Sequence, residues 1–562
     1  MRYPAYQILL FIVGCSAVTA YSSESVVLED IGEFEPASAI TSEKTTGTWQ
    51  RAEVGASPSG WILQTDAEVN APDISVAIPV QGTYDIYIGV YMPDSLVSGV
   101  LVRMDDDPHF AFVRGCCDGK YPAFHETYYK CQDCTGRHLV FRQPAESRSY
   151  VTHVRLVPRS TPPKMPRATR EVIGLADAWH YNYFFSSRES DSISTLVKMH
   201  ELCGLTEISF EAGRSCMWYE TSVGTRCRID PNRPRTKWLP YHCDRHRPFS
   251  TAIETAHALG LDFESRLCMN IHYAGTYRGS ITSDFAVENS KFQERRKDGT
   301  AYPQQLCFGY DEVRAERVAV LREQVELGAS SLCLDCMKYP PMARWGKPYV
   351  DGFKDSHGID PSELSADDPH WQLWLMYRAS YFTRLVREVR SMLSEVRKPD
   401  IPLSIRVDDR GVESALESGI NMRELVSGGL VQKVILGGDS PDRVIAESVI
   451  QEYRQILDGT SVKLIAGLQA HGFPAMPGPE HHKDGAWPAA MYFEPNMVAL
   501  AHNIDHMYDL GVDGVAFYES DEGTLYPNMR DLFIAARTPE TMKELVRNIA
   551  SRDSKEQWGE VP

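Results

Sequence analysis

Long apolar runs, positive charge and glycosylation sequons are all scarce in this chain. The apolar stretch Ile8-Leu9-Leu10-Phe11-Ile12-Val13 is far too short to cross a bilayer, and no later run reaches spanning length, which excludes a helical membrane span. Lys and Arg number 58 against 76 Asp and Glu, so the formal net charge is -18. A phosphate backbone would be repelled over most of such a surface, which excludes nucleic acid as a partner. No Asn-x-Ser/Thr acceptor occurs anywhere in the chain.

What is present begins with a leader. Met1-Arg2, the apolar run and small residues through Ala20 have the layout of an export signal, with cleavage expected after Ala20. Ile12-Val13-Gly14-Cys15 also resembles a lipobox, in which Cys15 would take a lipid anchor and become the new N-terminus. The expected location is therefore secreted or periplasmic, or a lipoprotein at the cell surface. An exported chain with 13 cysteines is expected to carry disulfides. The cluster Cys116, Cys117, Cys131 and Cys134 reads as one or two of them rather than as a four-thiolate zinc site, although Cys131-Gln132-Asp133-Cys134 has a ligand-like spacing.

Hydrophobic residues make up 43% of the 562 positions, enough for two large cores. Residues 21–158 show short β-type runs with turn signals, among them Thr83 to Tyr91, Gly99 to Met104 and His138 to Phe141, and are expected to form a β-sandwich. Trp49 and Trp61 either stack on sugar faces there or fill the core. Asp105-Asp106-Asp107 reads as a solvated turn rather than a calcium site. A Pro-rich linker occupies 159–168.

Over 169–540 the pattern becomes β-runs alternating with helical stretches, the mark of parallel βα units. Eight runs are legible: Val172 to Ala176, Glu207 to Phe210, Leu261 to Ser265, Ser331 to Leu334, Pro402 to Arg406, Val431 to Leu436, Val462 to Ala466 and Gly514 to Tyr518. Helices are expected at Trp374 to Val396 and Asp442 to Leu457, and Gly260, Gly328 and Gly511 close helix ends ahead of the next run. The fold class is multidomain: an N-terminal β-sandwich followed by a (β/α)₈ TIM barrel with insertions at Tyr219 to Arg247 and Tyr339 to His370, then a C-terminal tail over 541–562.

In that fold chemistry sits where strands end, and alternation sorts inward from outward side chains. It turns Cys333 and Asp335 inward on the fourth strand, Ser404, Arg406 and Asp408 on the fifth, Ser209 and Glu211 on the second, and Glu264 and Arg266 on the third. Asp335 and Asp408 are expected to lie close together, whereas alternation from Ala516 and Tyr518 does not turn Glu519 inward. Breaking a glycosidic bond needs one protonated carboxyl and one carboxylate, and burial beside a like charge keeps the acid protonated. The expected assignment is Asp335 as nucleophile or base and Asp408 as acid, with Glu211, Asp439 and Glu519 as alternates. Asp335→Asn is expected to abolish turnover with the thermal transition nearly unchanged. His180, Trp218, Arg266, Asn270, His272, Lys338, Arg406, Arg410, Gln469 and His471 are candidates for holding sugar, and the four basic ones suggest a carboxylate or sulfate on it.

Leu334-Asp335-Cys336-Met337-Lys338-Tyr339-Pro340-Pro341 resembles the Leu-Asp-Phe-Met-Arg-Tyr-Pro-like segment of family-10-like glycosyl hydrolases, with Cys336 and Lys338 in place of the aromatic and the Arg. The resemblance covers the barrel region and implies a glycosidase-type barrel in which Asp335 is a functional carboxylate. The resulting expectation is a secreted glycoside hydrolase acting on a poly- or oligosaccharide with no cofactor. Two rival readings are a carbohydrate-binding barrel without catalysis and a metal-dependent hydrolase or deacetylase using His180, His272 and His471 with Asp335.

Overall fold

The computed structural model describes residues 25–30, 33–42, 47–55, 57–66, 70–93, 99–115, 122–144, 148–161, 164–177, 191–228, 243–272, 282–338, 340–438, 444–470, 497–527 and 529–556. The expected export signal, Cys15, Cys116 and Cys117 lie outside them. The chain divides into two compact units, one of residues up to Lys164 with Leu525–Asn528, the other of Met165–Thr524 and everything from Met529 onward.

The first unit is all-β. One sheet orders Val26–Leu28, His153–Pro158, Thr83–Met92 and Ala123–Asp133; a second orders Phe34–Glu35, Ile74–Ala77, His138–Arg142, Val100–Met104 and Ala111–Val113; a third orders Tyr150–Val151, Trp61–Gln64, Trp49–Glu53 and Ile40–Thr41. Period-two alternation shows in Thr83–Met92, where Ile86, Ile88, Val90 and Met92 are buried while Tyr87 and Tyr91 on the other face are half-buried. Trp49 and Trp61 belong to the core and form no sugar platform: both are buried, and their indole N–H groups donate to the carbonyls of Pro72 at 2.9 Å and Glu29 at 2.5 Å. The Asp105-Asp106-Asp107 turn is neutralised from the protein itself, by Arg137 on Asp105 and Asp106 and by Lys130 on Asp107.

No disulfide is present among the described residues, and the expected cluster is met only in part, because Cys116 and Cys117 lie outside them. Cys131 and Cys134 are free thiols at the end of a long strand, and burial pushes them up to about 12 and about 11.

The second unit is a closed barrel of eight parallel strands in sequence order: Glu171–Ala176, Glu207–Gly213, Asp262–Cys268, Ser331–Asp335, Leu403–Val407, Lys433–Gly437, Lys463–Gln469 and Gly514–Tyr518. Each contains or overlaps one of the eight expected runs. The interior is layered from the strand starts upward. Lys433 grips Glu207 at 2.7 and 3.0 Å and Glu171 at 3.0 Å where the strands begin. Above it the buried Glu264 accepts from Ser209 at 2.7 Å and also from Ser404. An apolar cluster of Ile173, Leu175, Cys333, Ile435, Ile465 and Ala516 fills the axis as well and runs up to Tyr518 at the mouth.

The helix expected from Asp442 starts at Glu447, because Ala446 still has extended backbone, and the long helix after the fourth strand spans Trp371–Glu395. The C-terminal tail is mostly helix, Pro539–Glu556, tied to Met497–Asp509 by Lys543 and Asp509 at 2.9 Å. A hairpin of Gln293–Arg295 and Ala301–Leu306 after the third strand was not anticipated, although its turn carries Asp298-Gly299. Trp49→Ala is expected to destabilise the N-terminal unit by about 3–5 kcal/mol in denaturant titration, since a fully buried ring would leave a cavity.

Candidate functional site

The inward residues of the first four strands, together with Arg406 and Tyr518, meet at the strand ends in one continuous charged network. Arg266, wholly buried on the third strand, donates from Nη1 to Asp335 Oδ2 at 3.0 Å and from Nη2 to Asp177 Oδ1 at 2.6 Å. Arg406 on the fifth strand donates to the same Asp335 oxygen at 3.0 Å and to the Gly437 carbonyl at 3.1 Å. Lys338 reaches Asp177 at 2.6 Å and Glu211 at 3.3 Å. Arg214, one residue past the second strand, holds Asp177 and Glu211 at 2.9 Å each. The Tyr518 hydroxyl donates to Asp177 at 3.0 Å, and its ring lies 4.7 Å from Arg406 and 5.0 Å from Lys338.

Three carboxylates thus stand among four cations. Burial opposes ionisation of Asp177, but Lys338, Arg266 and Arg214 outweigh it and hold the carboxyl well below its usual range. Asp335 is likewise buried, yet Arg406, Arg266 and Lys338 bring it down to about 2. Cys268 points its thiol at Glu211 Oε1 from 3.5 Å and stays protonated, because burial and the charges of Glu211 and Asp335 push it well up.

The eighth strand supplies the opposite kind of carboxyl. Glu522 is completely buried, and burial together with the negative charge of Asp177 keeps it well above the ordinary carboxyl range. It sits on a short turn of helix, Ser520–Gly523, whose Asp521 accepts from the Asp177 backbone N–H at 3.2 Å. Glu519, between strand and turn, is left-handed at φ 56° and ψ 43°. A non-glycine residue there costs about 1–2 kcal/mol. The break in alternation aims Glu519 at Gln469 on the seventh strand, whose side-chain amide donates to it at 2.8 Å.

Of the residues nominated from sequence, the structure brings Glu211, Arg266, Asp335, Lys338 and Arg406 together and pairs Gln469 with Glu519. Asp408 shares no bond with this network. The fifth strand ends at Val407, and Asp408 accepts from its own turn, from the Arg410 backbone at 3.1 Å and guanidinium at 2.5 Å. Its charge is felt by Tyr453, in the helix Glu447–Leu457. Trp218 is buried, and Asn270 donates to the Pro341 carbonyl at 3.1 Å. His272 is enclosed beside the unanticipated hairpin, bonded through its backbone to Gln304 at 3.2 Å, and burial and then Arg317 hold its ring well below the usual range. His180, Asp439 and His471 lie outside the described residues. Among the described residues no three metal-ligating side chains are grouped as a cation site.

Sequence reasoning missed Asp177, Arg214 and Glu522. Alternation through the inward Ile173 and Leu175 could have found Asp177; Arg214 and Glu522 lie beyond strand ends, where alternation says nothing.

The burial of Asp335 between two guanidinium groups changes one expectation. Asp335→Asn is expected to lower stability by about 3–5 kcal/mol, measured by urea unfolding, because it leaves two buried cations short of a charge. Sign and pH window follow from the depressed carboxyl: the ionised form stabilises the fold above the ordinary carboxyl range, and that contribution is lost as pH falls through about 2, so the variant should be the less acid-sensitive protein. Glu519→Gly, by contrast, should leave the thermal transition unchanged or raised, since glycine takes the left-handed backbone without strain.

No family model matches the chain, and no curated protein matches it. Among solved structures it is similar to the PgaB (BpsB) glycoside hydrolase domain from Bordetella bronchiseptica, at 12% identity and TM-score 0.44, over 65% of this chain and 98% of that one. It is also similar to the catalytic domain of β-amylase from Paenibacillus polymyxa, at 9% identity and TM-score 0.39, over 63% and 94%. A third similarity is to the spore cortex-lytic enzyme SleL of Bacillus megaterium QM B1551, at 10% identity and TM-score 0.35, over 67% and 76%.

Proposed function

We propose that this chain is an exported glycoside hydrolase acting on a poly- or oligosaccharide through two carboxyl groups at the barrel mouth. The observation that carries this reading is the opposed state of neighbouring carboxyls: Glu522 is kept protonated by burial beside Asp177, while Asp177 and Asp335 are kept ionised by cations. Pairs of titratable groups whose surroundings drive them apart are what acid and base roles at one pH require.

In the proposed mechanism Glu522 is the general acid that protonates the leaving oxygen. Asp335 is the anionic partner, attacking the anomeric carbon or activating water; its Oδ1 accepts from the Met337 N–H at 3.1 Å, while its Oδ2 is spent on the two arginines. Asp177, saturated by Arg214, Arg266, Lys338 and Tyr518, sets the protonation of Glu522 and stabilises the positive charge that develops on the sugar ring. Glu519, strained and anchored by Gln469, accepts from a sugar hydroxyl.

The role of Asp408 as acid gives way in this assignment to Glu522. Arg266, Lys338, Arg406 and Arg410 are all engaged with carboxylates, so the reading requires no acidic or sulfated sugar.

The test is reducing-end release from a panel of neutral, amino, uronic and sulfated polysaccharides by the purified full chain. Glu522→Gln should lower kcat on a natural glycan by roughly 100-fold or more and recover much of it on an aryl glycoside whose leaving group needs no proton. In the unsubstituted enzyme, activity should fall as pH rises through the Glu522 ionisation, because only the protonated form donates. Binding on the panel without release would assign the barrel to recognition, and full activity of Glu522→Gln on a natural glycan would remove Glu522 from the acid role.

A further inference from the structure

Three cysteines take no part in the charged mouth yet converge beside it. Cys216 and Cys227, both buried, lie in the loop that follows the second barrel strand, with their Sγ atoms 3.3 Å apart. The buried thiol of Cys243 also lies within hydrogen-bonding reach of Cys227. We propose that Cys216 and Cys227 are a cross-link site, two thiols set to join as a disulfide that closes this loop, with Cys243 remaining reduced. The inference is independent of the proposed hydrolysis.

The backbone has already paid most of the cost of closure. Met217 forms isolated β-bridges with both Gly213 and Arg226, and its N–H donates to the Thr225 carbonyl at 2.8 Å. The Cys227 thiol also donates to the Met217 carbonyl at 2.9 Å, a contact that holds its sulfur beside Cys216 in the reduced protein and is given up when the thiol hydrogen is lost. Reaching a disulfide bond length then needs the sulfur atoms to approach by only about 1.3 Å, a side-chain adjustment. The far side of the loop is pinned as well, since Glu323 accepts from Tyr219, Thr221 and Ser222 at 2.5–2.9 Å.

The cross-link would bear on the mouth through Arg214, two residues before Cys216. Its guanidinium holds Asp177 and Glu211, and its carbonyl accepts from Arg317 at 3.1 Å. A covalent tie at Cys216 fixes the backbone from which that guanidinium is presented.

The chemistry balances with a small disulfide such as oxidised glutathione. One cysteine thiolate attacks a glutathione sulfur, forming a mixed disulfide and releasing one glutathione thiolate. The second cysteine thiolate then attacks the mixed disulfide, joining Cys216 to Cys227 and releasing the other glutathione; the two protons lost by the cysteines go to the two glutathione thiolates. Burial and the two neighbouring thiols hold Cys227 protonated, so closure is slow and calls for prolonged incubation.

The experiment uses the full-length protein held with oxidised glutathione or, in parallel, with a phosphine reductant. Acid quenching, alkylation in denaturant and peptide mapping by mass spectrometry then read the cysteines directly in the unsubstituted protein. The oxidised sample should yield a Cys216–Cys227 linked peptide two hydrogens lighter than its reduced form, and a Tm a few degrees above the reduced sample. Cys216→Ser should lose that oxidant-dependent rise. Alkylation of all three cysteines after oxidation, a linkage through Cys243, or one equivalent of zinc released from the thiols on denaturation would each overturn the proposal.

Discussion

Arg266 is the group on which the mouth depends. A single guanidinium, buried at the axis, bonds two carboxylates from two strands, Asp335 of the fourth and Asp177 just past the first, and its Nη2 also bonds the Ala176 carbonyl at 2.9 Å. Five donors in a planar fork make this geometry natural for arginine and unattainable for lysine. Each carboxylate then recruits its own further cation, Arg406 on one side and Lys338 with Arg214 on the other. Removing the central guanidinium would leave the buried Asp335 with Arg406 as its one bonded side-chain cation among the described residues, and would unlink it from Asp177, which keeps Lys338 and Arg214.

Such a network is poor value as stabilisation. Desolvating seven charged groups costs several kcal/mol each, and apolar side chains of the same volume hold a barrel together at least as well. The same barrel shows that alternative, where Ile173, Leu175, Ile435 and Ile465 fill the axis with hydrocarbon. The change from hydrocarbon to charge occurs within one step of alternation along the first strand, from Leu175 to Asp177. A sequence that fills the axis with hydrocarbon and turns to charge at the strand ends has placed its charges where chemistry on this fold happens.

How far the sequence alone reached follows from where the hydrogen-bonded ladder runs. Within strands, a two-residue period leaves only two choices of face, and the apolar residues of the first, fourth, fifth and eighth strands decide between them; Glu211, Arg266, Asp335 and Arg406 all face the axis as that rule requires. Past the ladder the rule no longer binds: it still carries to Asp177, one residue beyond the first strand, but not to Asp408, one residue beyond the fifth. Asp408 follows Val407 into a turn that ends at Gly411, with φ 108°, and its carboxylate folds back on Arg410 instead of joining Asp335. Arg214 and Glu522 are legible only once the backbone is known, because a loop and a single helical turn carry them. The cysteines are legible only in part for a related reason: the sequence shows which thiols are near one another along the chain, but not that Cys216, Cys227 and Cys243 come together in space.

Glu519 shows how a strand can be made to present two consecutive side chains to one site. Tyr518 faces the axis and hydrogen-bonds Asp177, so regular alternation would send residue 519 out toward the helices. A left-handed backbone at that one position reverses the direction, and the next residues turn into helix, which places Ser520 against His200 at 2.8 Å and Glu522 against the field of Asp177. His200 is fixed for this contact by its second ring nitrogen, which lies 2.8 Å from the Leu196 carbonyl, and it can approach only because Gly174 has no side chain where the ring passes. Strain at Glu519 is thus held in place from behind by a buried, neutral histidine. The local cost buys a rim on which Tyr518, Glu519 and Glu522, from five consecutive residues, meet carboxylates and cations contributed by five other strands.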